Sequence, residues 1–187
     1  MNDARYYMAC LDLRERDCLV VGGGRIATEK ALGLLDCGAA VTVVAPRIDD
    51  ELEALDVTVI RRSFTRSDVV GRFVVIAATN RREVNAAVST AAAEQSTLCN
   101  VADDPELCSF ILPAITRRDP IVVAVSSGGT SPALAKRIRD DIATRIGPEH
   151  ADLAQRLASL RPWAKHAFST YEARRDYFEQ LVAEALP

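Results

Sequence analysis

Gly22–Gly23–Gly24–Arg25–Ile26–Ala27 has the pattern G-x-G-x-x-A. It follows an apolar run, Cys18–Val21, and opens a stretch with helical spacing, Arg25–Cys37. In that context the pattern is a dinucleotide-binding turn. Gly22 permits the tight turn and Gly24 lets the backbone approach a pyrophosphate. Ala27 lets the helix pack close to the sheet, and the helix N-terminus faces the phosphates. The same glycines also suit a phosphate-free turn of another α/β protein. The acid that usually binds the ribose at the end of the second strand is missing, because Ala45, Pro46 and Arg47 stand there. Either backbone groups hold the ribose, or Arg47 accepts a 2′-phosphate and favours NADP.

Two other segments carry polar groups at strand ends. Thr79–Asn80 closes one apolar run and Asn100–Asp104 closes the next. Ligands of open α/β sheets bind outside the carboxyl ends of the strands, so Thr79 is a cofactor contact and Asp103 and Asp104 are acid/base candidates. Both also suit a turn before Pro105, and that reading fits Asp104 better because it directly precedes the proline. Ser126–Ser127–Gly128–Gly129–Thr130 resembles an anion nest at a helix start, with Ser127, Gly128 and Gly129 as substrate contacts; a plain strand-to-helix turn needs the same residues. His150 and His166 are the only histidines. They are too far apart to specify a metal site, and no metal-binding residues are expected.

The elements that must position these groups alternate. Runs at Cys18–Val21, Ala40–Ala45, Val57–Ile60, Phe73–Ala78 and Leu98–Val101 predict parallel strands, with helices between them. Cys108–Leu112 is apolar without a clear period. Ile121–Ser126 predicts a further strand. Ser131 then serves as N-cap and Pro132 as the first residue of a helix running to about Arg145. From Ala151 onward the spacing of Leu153, Leu157, Leu160, Trp163, Phe168, Tyr171, Phe178 and Leu181 is helical, with a break expected at Pro162.

A chain of 187 residues has room for one good core and a small appendage. The five cysteines form no C-x-x-C pair, so they are expected to be reduced thiols in the cytoplasm. The start lacks a secretory signal pattern, and no apolar run approaches the ~20 residues that span a bilayer. Neither membrane nor nucleic acid is an expected partner: the net charge is −3 and no basic-aromatic stripe is present. Residues 114–147 nevertheless hold 6 Lys/Arg against 3 Asp/Glu, which is either a solvated helix face or a surface for a small anion.

Taken in order, the segments VVGGGRIATEKALGLLDCGAAVTVVAP, VIAATNRREVN, CNVADDPELCSFILPAI and VAVSSGGTSPALAKRIRD resemble the precorrin-2 dehydrogenase/sirohydrochlorin ferrochelatase family. The same module forms the amino-terminal part of bifunctional sirohaem synthase, and this chain resembles the stand-alone form. The N-V-x-D-x-P and S-S-G-G-T-S-P segments are more specific than the glycine turn. The resemblance implies an α/β protein: a Rossmann-like parallel-sheet domain over 1–113, a small α+β dimerisation region over 114–147 and a helical C-terminal domain over 148–187. It implies a homodimer and NAD as cofactor, bound by Arg25, Ile26, Pro46 and Arg47 without a ribose acid. It further implies that Asp103 serves the oxidation of precorrin-2 to sirohydrochlorin and, in chelating members, insertion of ferrous iron. Ser127 matches a serine that is phosphorylated in bifunctional relatives. A polycarboxylate substrate would give the basic 114–147 segment a purpose.

Two other readings are compatible with the residues alone. One is a small NAD(P) oxidoreductase acting on an unrelated anionic substrate. The other is a non-enzymatic nucleotide-sensing Rossmann module, although such a module has no need of the second glycine loop or the helical tail.

Overall fold

The apolar runs of the first half form one parallel sheet. The computed structural model describes residues 6–186. Residues 1–5, on which the expectation of no signal segment partly rests, and residue 187 lie outside the described residues. The chain divides into two compact units, one reaching to Leu112 and the other starting at Pro113.

In the first unit, β1 (Asp17–Val21) leads into helix α1 (Arg25–Leu35) and then β2 (Ala40–Val44). A four-residue helix, α2 (Asp50–Glu53), precedes β3 (Thr58–Ile60). Next come β4 (Val74–Ala77), α3 (Arg82–Glu94) and β5 (Leu98–Val101). All pairings are parallel, in the order β3-β2-β1-β4-β5. This is the full Rossmann strand order without its sixth strand, and it reverses direction beside β1.

Both faces of the sheet are covered, which is why its strands are largely apolar rather than alternating. Cys18 and Val20 of β1 point to the side packed by Ala27, Ala31 and Leu34 of α1. Leu19 and Val21 point to the opposite side, packed by Val88, Ala91 and Ala92 of α3. The alanines at the contact let each helix approach the strands closely.

The second unit begins with an antiparallel pair, β6 (Ala114–Arg118) and β7 (Ile121–Val125). Helices α4 (Pro132–Ala143), α5 (Pro148–Ala167) and α6 (Tyr171–Ala185) follow. Ser131 caps α4, its Oγ accepting from the Leu134 N–H at 3.2 Å, and Pro132 is the first helical residue.

Two details depart from the sequence expectations. Cys108–Leu112, which follows a 3₁₀ turn at Pro105–Leu107, forms neither helix nor strand, and β6 is an additional strand. The helix also does not break at Pro162, which lies inside α5. Pro162 and Ala158, whose carbonyl loses its partner, are both exposed, so water can take the freed acceptor. On the same turn, Trp163 packs edge-on against Phe168, at 5.8 Å between centroids, and lies 5.7 Å from Tyr177 of α6. These contacts hold the helix on its course.

Candidate functional site

At the carboxyl ends of β1, β2, β4 and β5 the first unit opens into a cleft of about 680 Å³. That volume is in the range of small-molecule and cofactor sites. Its floor is the glycine turn after β1. Gly22 has φ +137, and a Cβ there would run into the Ala78 carbonyl at the end of β4. A Cβ on Gly23 would collide with the Arg47 carbonyl. The turn therefore threads between the ends of two strands where no side chain fits. Gly24 differs, because nothing lies within 3.8 Å of the position its Cβ would take. A side chain there would project into space that a ligand could use.

Gly24 is also the N-cap of α1, and no side chain caps it. The first N–H groups of a helix have no intrahelical acceptor, so those of Arg25, Ile26 and Ala27 are left free to bind an anion. Thr28 closes the first turn, its N–H donating to the Gly24 carbonyl at 3.0 Å. This cradle fits a pyrophosphate: unspent donors, the positive end of a helix dipole, and a glycine where the backbone must be approached.

Arg25, Ile26, Pro46, Arg47, Thr79 and Asp103 all line the same cleft. Residues from 22 to 103 thus converge at the point where strand order reverses. Thr79 is held in place by Asn85 of α3, which is buried. Thr79 Oγ1 donates to Asn85 Oδ1 at 2.7 Å, and Asn85 Nδ2 donates to the Thr79 carbonyl at 3.1 Å. Sequence reasoning missed Asn85, since an Asn in the second turn of a helix carries no local signal of such a latch.

Asp103 follows β5 in the left-handed region, with φ 60, and is exposed. Asp tolerates this conformation better than most residues. Among the described residues its carboxylate has no hydrogen-bond or ion-pair partner. Asp104 differs: its Oδ2 accepts from Arg82 Nε at 3.2 Å. Cys108 braces the turn between them. Its Sγ accepts from the Val101 N–H at 3.1 Å and lies 3.3 Å from the Asp104 carbonyl, to which the thiol can donate. Burial raises the pKa of the Cys108 thiol and pushes that of Cys99 up to about 11. Both are therefore neutral thiols at physiological pH, with Cys108 acting as a hydrogen-bonding prop rather than a nucleophile.

Ser127, Gly128 and Gly129 lie in the second unit, between β7 and α4. Gly128 and Gly129 both have positive φ, 63 and 83. Ser127 Oγ accepts from the Ser131 N–H at 2.9 Å, and the Ser127 carbonyl accepts from Thr130 Oγ1 at 2.7 Å. Gly128 N–H donates to Ser126 Oγ at 3.1 Å. Much of the loop's donor capacity is thus spent internally.

Asp49 also lines the cleft, although the sequence reading placed no acid there. Among the described residues no group of three or more His, Cys, Asp or Glu side chains is arranged to hold a metal ion. No helix among them is long and apolar enough to cross a membrane.

Comparison with known proteins agrees with this geometry. A family model described as putative NAD(P)-binding matches residues 9–114, and one described as sirohaem biosynthesis protein central matches residues 118–145. Siroheme synthase of Nitrosomonas europaea is 42% identical over 182 residues, covering 95% of this chain and 38% of that protein. Siroheme synthase of Methylococcus capsulatus is 44% identical over 181 residues, with the same coverage of 95% and 38%. The chain thus spans 38% of the length of these curated relatives. Among solved structures, SirC, a precorrin-2 dehydrogenase, superposes with a TM-score of 0.81 at 30% identity, covering 95% of this chain and 89% of that one.

Proposed function

The chain belongs to the precorrin-2 dehydrogenase family, and from that premise we propose that it oxidises precorrin-2 to sirohydrochlorin with NAD⁺ in sirohaem biosynthesis. The observation that carries the proposal is one cleft lined both by the glycine turn with its free helix N–H groups and by Asp103, a carboxylate with no partner among the described residues.

NAD⁺ supplies a hydride acceptor. The chain supplies placement and a base. The N–H groups of Arg25 and Ile26 bind the pyrophosphate, and Pro46 and Arg47 flank the adenosine side. Thr79, fixed by Asn85, borders the nicotinamide side. As the hydride leaves precorrin-2, the substrate must also lose a proton, and Asp103 accepts it. The products are sirohydrochlorin, NADH and that proton. General-base help of this kind is typically worth about 10²–10⁴ in rate. Where ferrous iron is then inserted, the macrocycle loses its remaining pyrrole protons, and the same carboxylate is placed to receive them.

The assembly forms part of the proposal. The chain acts as a cytoplasmic homodimer, with 1–113 binding NAD, 114–147 forming most of the dimer contact and 148–187 as a helical domain. The Ser127–Gly129 loop and the basic residues around it contribute to binding of the polycarboxylate substrate. Ser127 is the candidate for phosphorylation, and modification there would cost the bond from the Ser131 N–H to its hydroxyl.

The deciding experiment supplies precorrin-2 and NAD⁺ without oxygen and follows sirohydrochlorin by its absorbance, then adds ferrous iron. Appearance of sirohydrochlorin with matching NADH is the expected result. Nucleotide binding with no oxidation would defeat the proposal and favour a sensing module. Failure of the iron step alone would leave a dehydrogenase without chelatase activity.

A further inference from the structure

The ribose acid absent from the end of β2 is supplied by tertiary structure. We infer that Asp49 makes the cleft selective for NAD over NADP by accepting hydrogen bonds from the adenosine ribose and repelling a 2′-phosphate. The inference rests on the cofactor reading above.

Three observations converge on Asp49. First, the chain after β2 folds back against the glycine turn rather than leaving the sheet edge. The Asp49 N–H donates to the Gly23 carbonyl at 2.8 Å, and a Cβ on Gly23 would lie 2.9 Å from the Ile48 Cα. Second, this return places the carboxylate at the cofactor turn itself. Asp49 lines the cleft, and its Oδ2 is 3.8 Å from the position a Gly24 Cβ would occupy. Third, the carboxylate is unspent. Asp49 precedes α2, yet its side chain makes no capping bond, and among the described residues it has no other partner.

An ionised carboxylate only accepts hydrogen bonds, so it needs donors. The vicinal hydroxyls of an unmodified ribose are donors. A 2′-phosphate offers acceptors and negative charge in the same place, and like charges at close range repel. In Rossmann domains an acid near the end of the second strand performs this selection. Here the strand ends at Val44 and the residues directly after it contain no acid. The acid arrives later along the chain, carried back by the Gly23 contact. Arg47 lines the same cleft and would draw a 2′-phosphate the other way. Both residues line the cleft, and the carboxylate of Asp49, 3.8 Å from the Gly24 Cβ position, is the one placed by the structure beside the glycine turn.

The test is direct binding of NADH and NADPH to the full chain, measured separately by calorimetry, for the unmodified protein and Asp49→Asn. Asn is as good an N-cap as Asp, so the local fold is retained. Asp49→Ser, also a good cap, gives a second variant if Asn fails to fold. The unmodified protein should bind NADH more tightly. Asp49→Asn should weaken NADH about tenfold to a hundredfold, the usual worth of hydrogen bonds to a charged group, and tighten NADPH. Tighter NADPH binding by the unmodified protein, or a variant with the same NADH/NADPH ratio, would overturn the inference. Binding is read without turnover, so NADH selectivity in a protein that does not oxidise precorrin-2 overturns only the reaction proposed above.

Discussion

In the first unit, Leu19, Val20, Val43, Val75 and Val88 are fully shielded on the two faces of a five-stranded sheet. In the second, Ala135 and Ala164 are the only described residues in the buried class, while Val122, Leu134, Ile138 and Trp163 remain 40–53% exposed. The difference follows from architecture. A parallel sheet with a helix layer on each side closes its own core. A two-stranded ribbon has too little area to do so and is marginal without added partners. One face of the ribbon, with Thr116, Val123 and Val125, is half-buried, and the other, with Ile115, Val122 and Ala124, is open. The first unit can hold a reactive cleft because its frame is complete. The second exposes the apolar surface that a second copy would cover in the proposed homodimer.

The comparison can be broken or sharpened by mutation. The largest effect is expected where the first unit's frame ends and its chemistry begins. Asp103→Ala should lower single-turnover oxidation of precorrin-2 by about 10²–10⁴ at saturating NAD⁺, while leaving cofactor binding and folding intact. Asp104→Ala should be milder, because that carboxylate pairs with Arg82. Near-normal rates in both variants would assign the proton to water.

The cores themselves come next. Leu19→Ala should destabilise the protein by about 2–5 kcal/mol in urea unfolding, independent of protein concentration. Leu134→Ala removes the same atoms from an exposed position. In an isolated chain it should cost no more than about 0.5 kcal/mol. A larger, concentration-dependent loss would show that another copy buries it. A native-like monomer at low micromolar concentration in analytical ultracentrifugation would end the homodimer proposal.

Gly24→Val is a gentler probe of the cleft. The added Cβ would come no closer to protein than 3.8 Å, at Asp49 Oδ2, so the fold should hold, whereas crowding at the pyrophosphate should cost about 1–3 kcal/mol of NADH affinity by calorimetry. Unchanged affinity in a folded protein would move the phosphate site away from the turn.

A small effect is expected at an ion pair in the loop after β3, beside Ser63 and Phe64 of the cleft lining. Hydrogen bonds from Arg62 at 2.8 Å and from the Thr65 N–H at 2.8 Å hold the Asp68 carboxyl below its ordinary value. A carboxyl with a lowered folded-state value stabilises the fold above its unfolded value, near 3.9, and loses that contribution as pH falls through the folded value. Arg62 is partly exposed, so the expected cost of Asp68→Asn is about 1 kcal/mol near neutrality. Urea midpoints at pH 7 and in acid should show the difference between the two proteins shrinking at low pH. A constant difference would mean that the charge contributes nothing.

Much of the first unit was legible from local pattern. Strands β1, β2, β4 and β5 coincide with largely apolar runs, broken by Asp17, Thr42 and Asn100, because burial on both faces demands them. The glycine turn was legible because Gly22 meets a steric requirement that other residues do not. β6 was missed because Ala114–Arg118 carries only two β-branched residues and two arginines. The expected break at Pro162 failed for a different reason: a local rule about a missing N–H was outweighed by exposure of the freed carbonyl and by the Trp163–Phe168–Tyr177 contacts.

The sequence by itself determined the order of the elements in the first unit and the dinucleotide turn, because each depends on residues close together in the chain. It also singled out Asp103 from its position after a strand. Tertiary structure alone decided that Asp103 is unpartnered while Asp104 is paired, that Asn85 holds Thr79, and that Asp49 returns to the cleft past a strand end without an acid. Those facts depend on where β1, β2, β4 and β5 place their ends side by side. Parallel pairing brings together residues tens of positions apart, and no local spacing encodes which of their side chains meet.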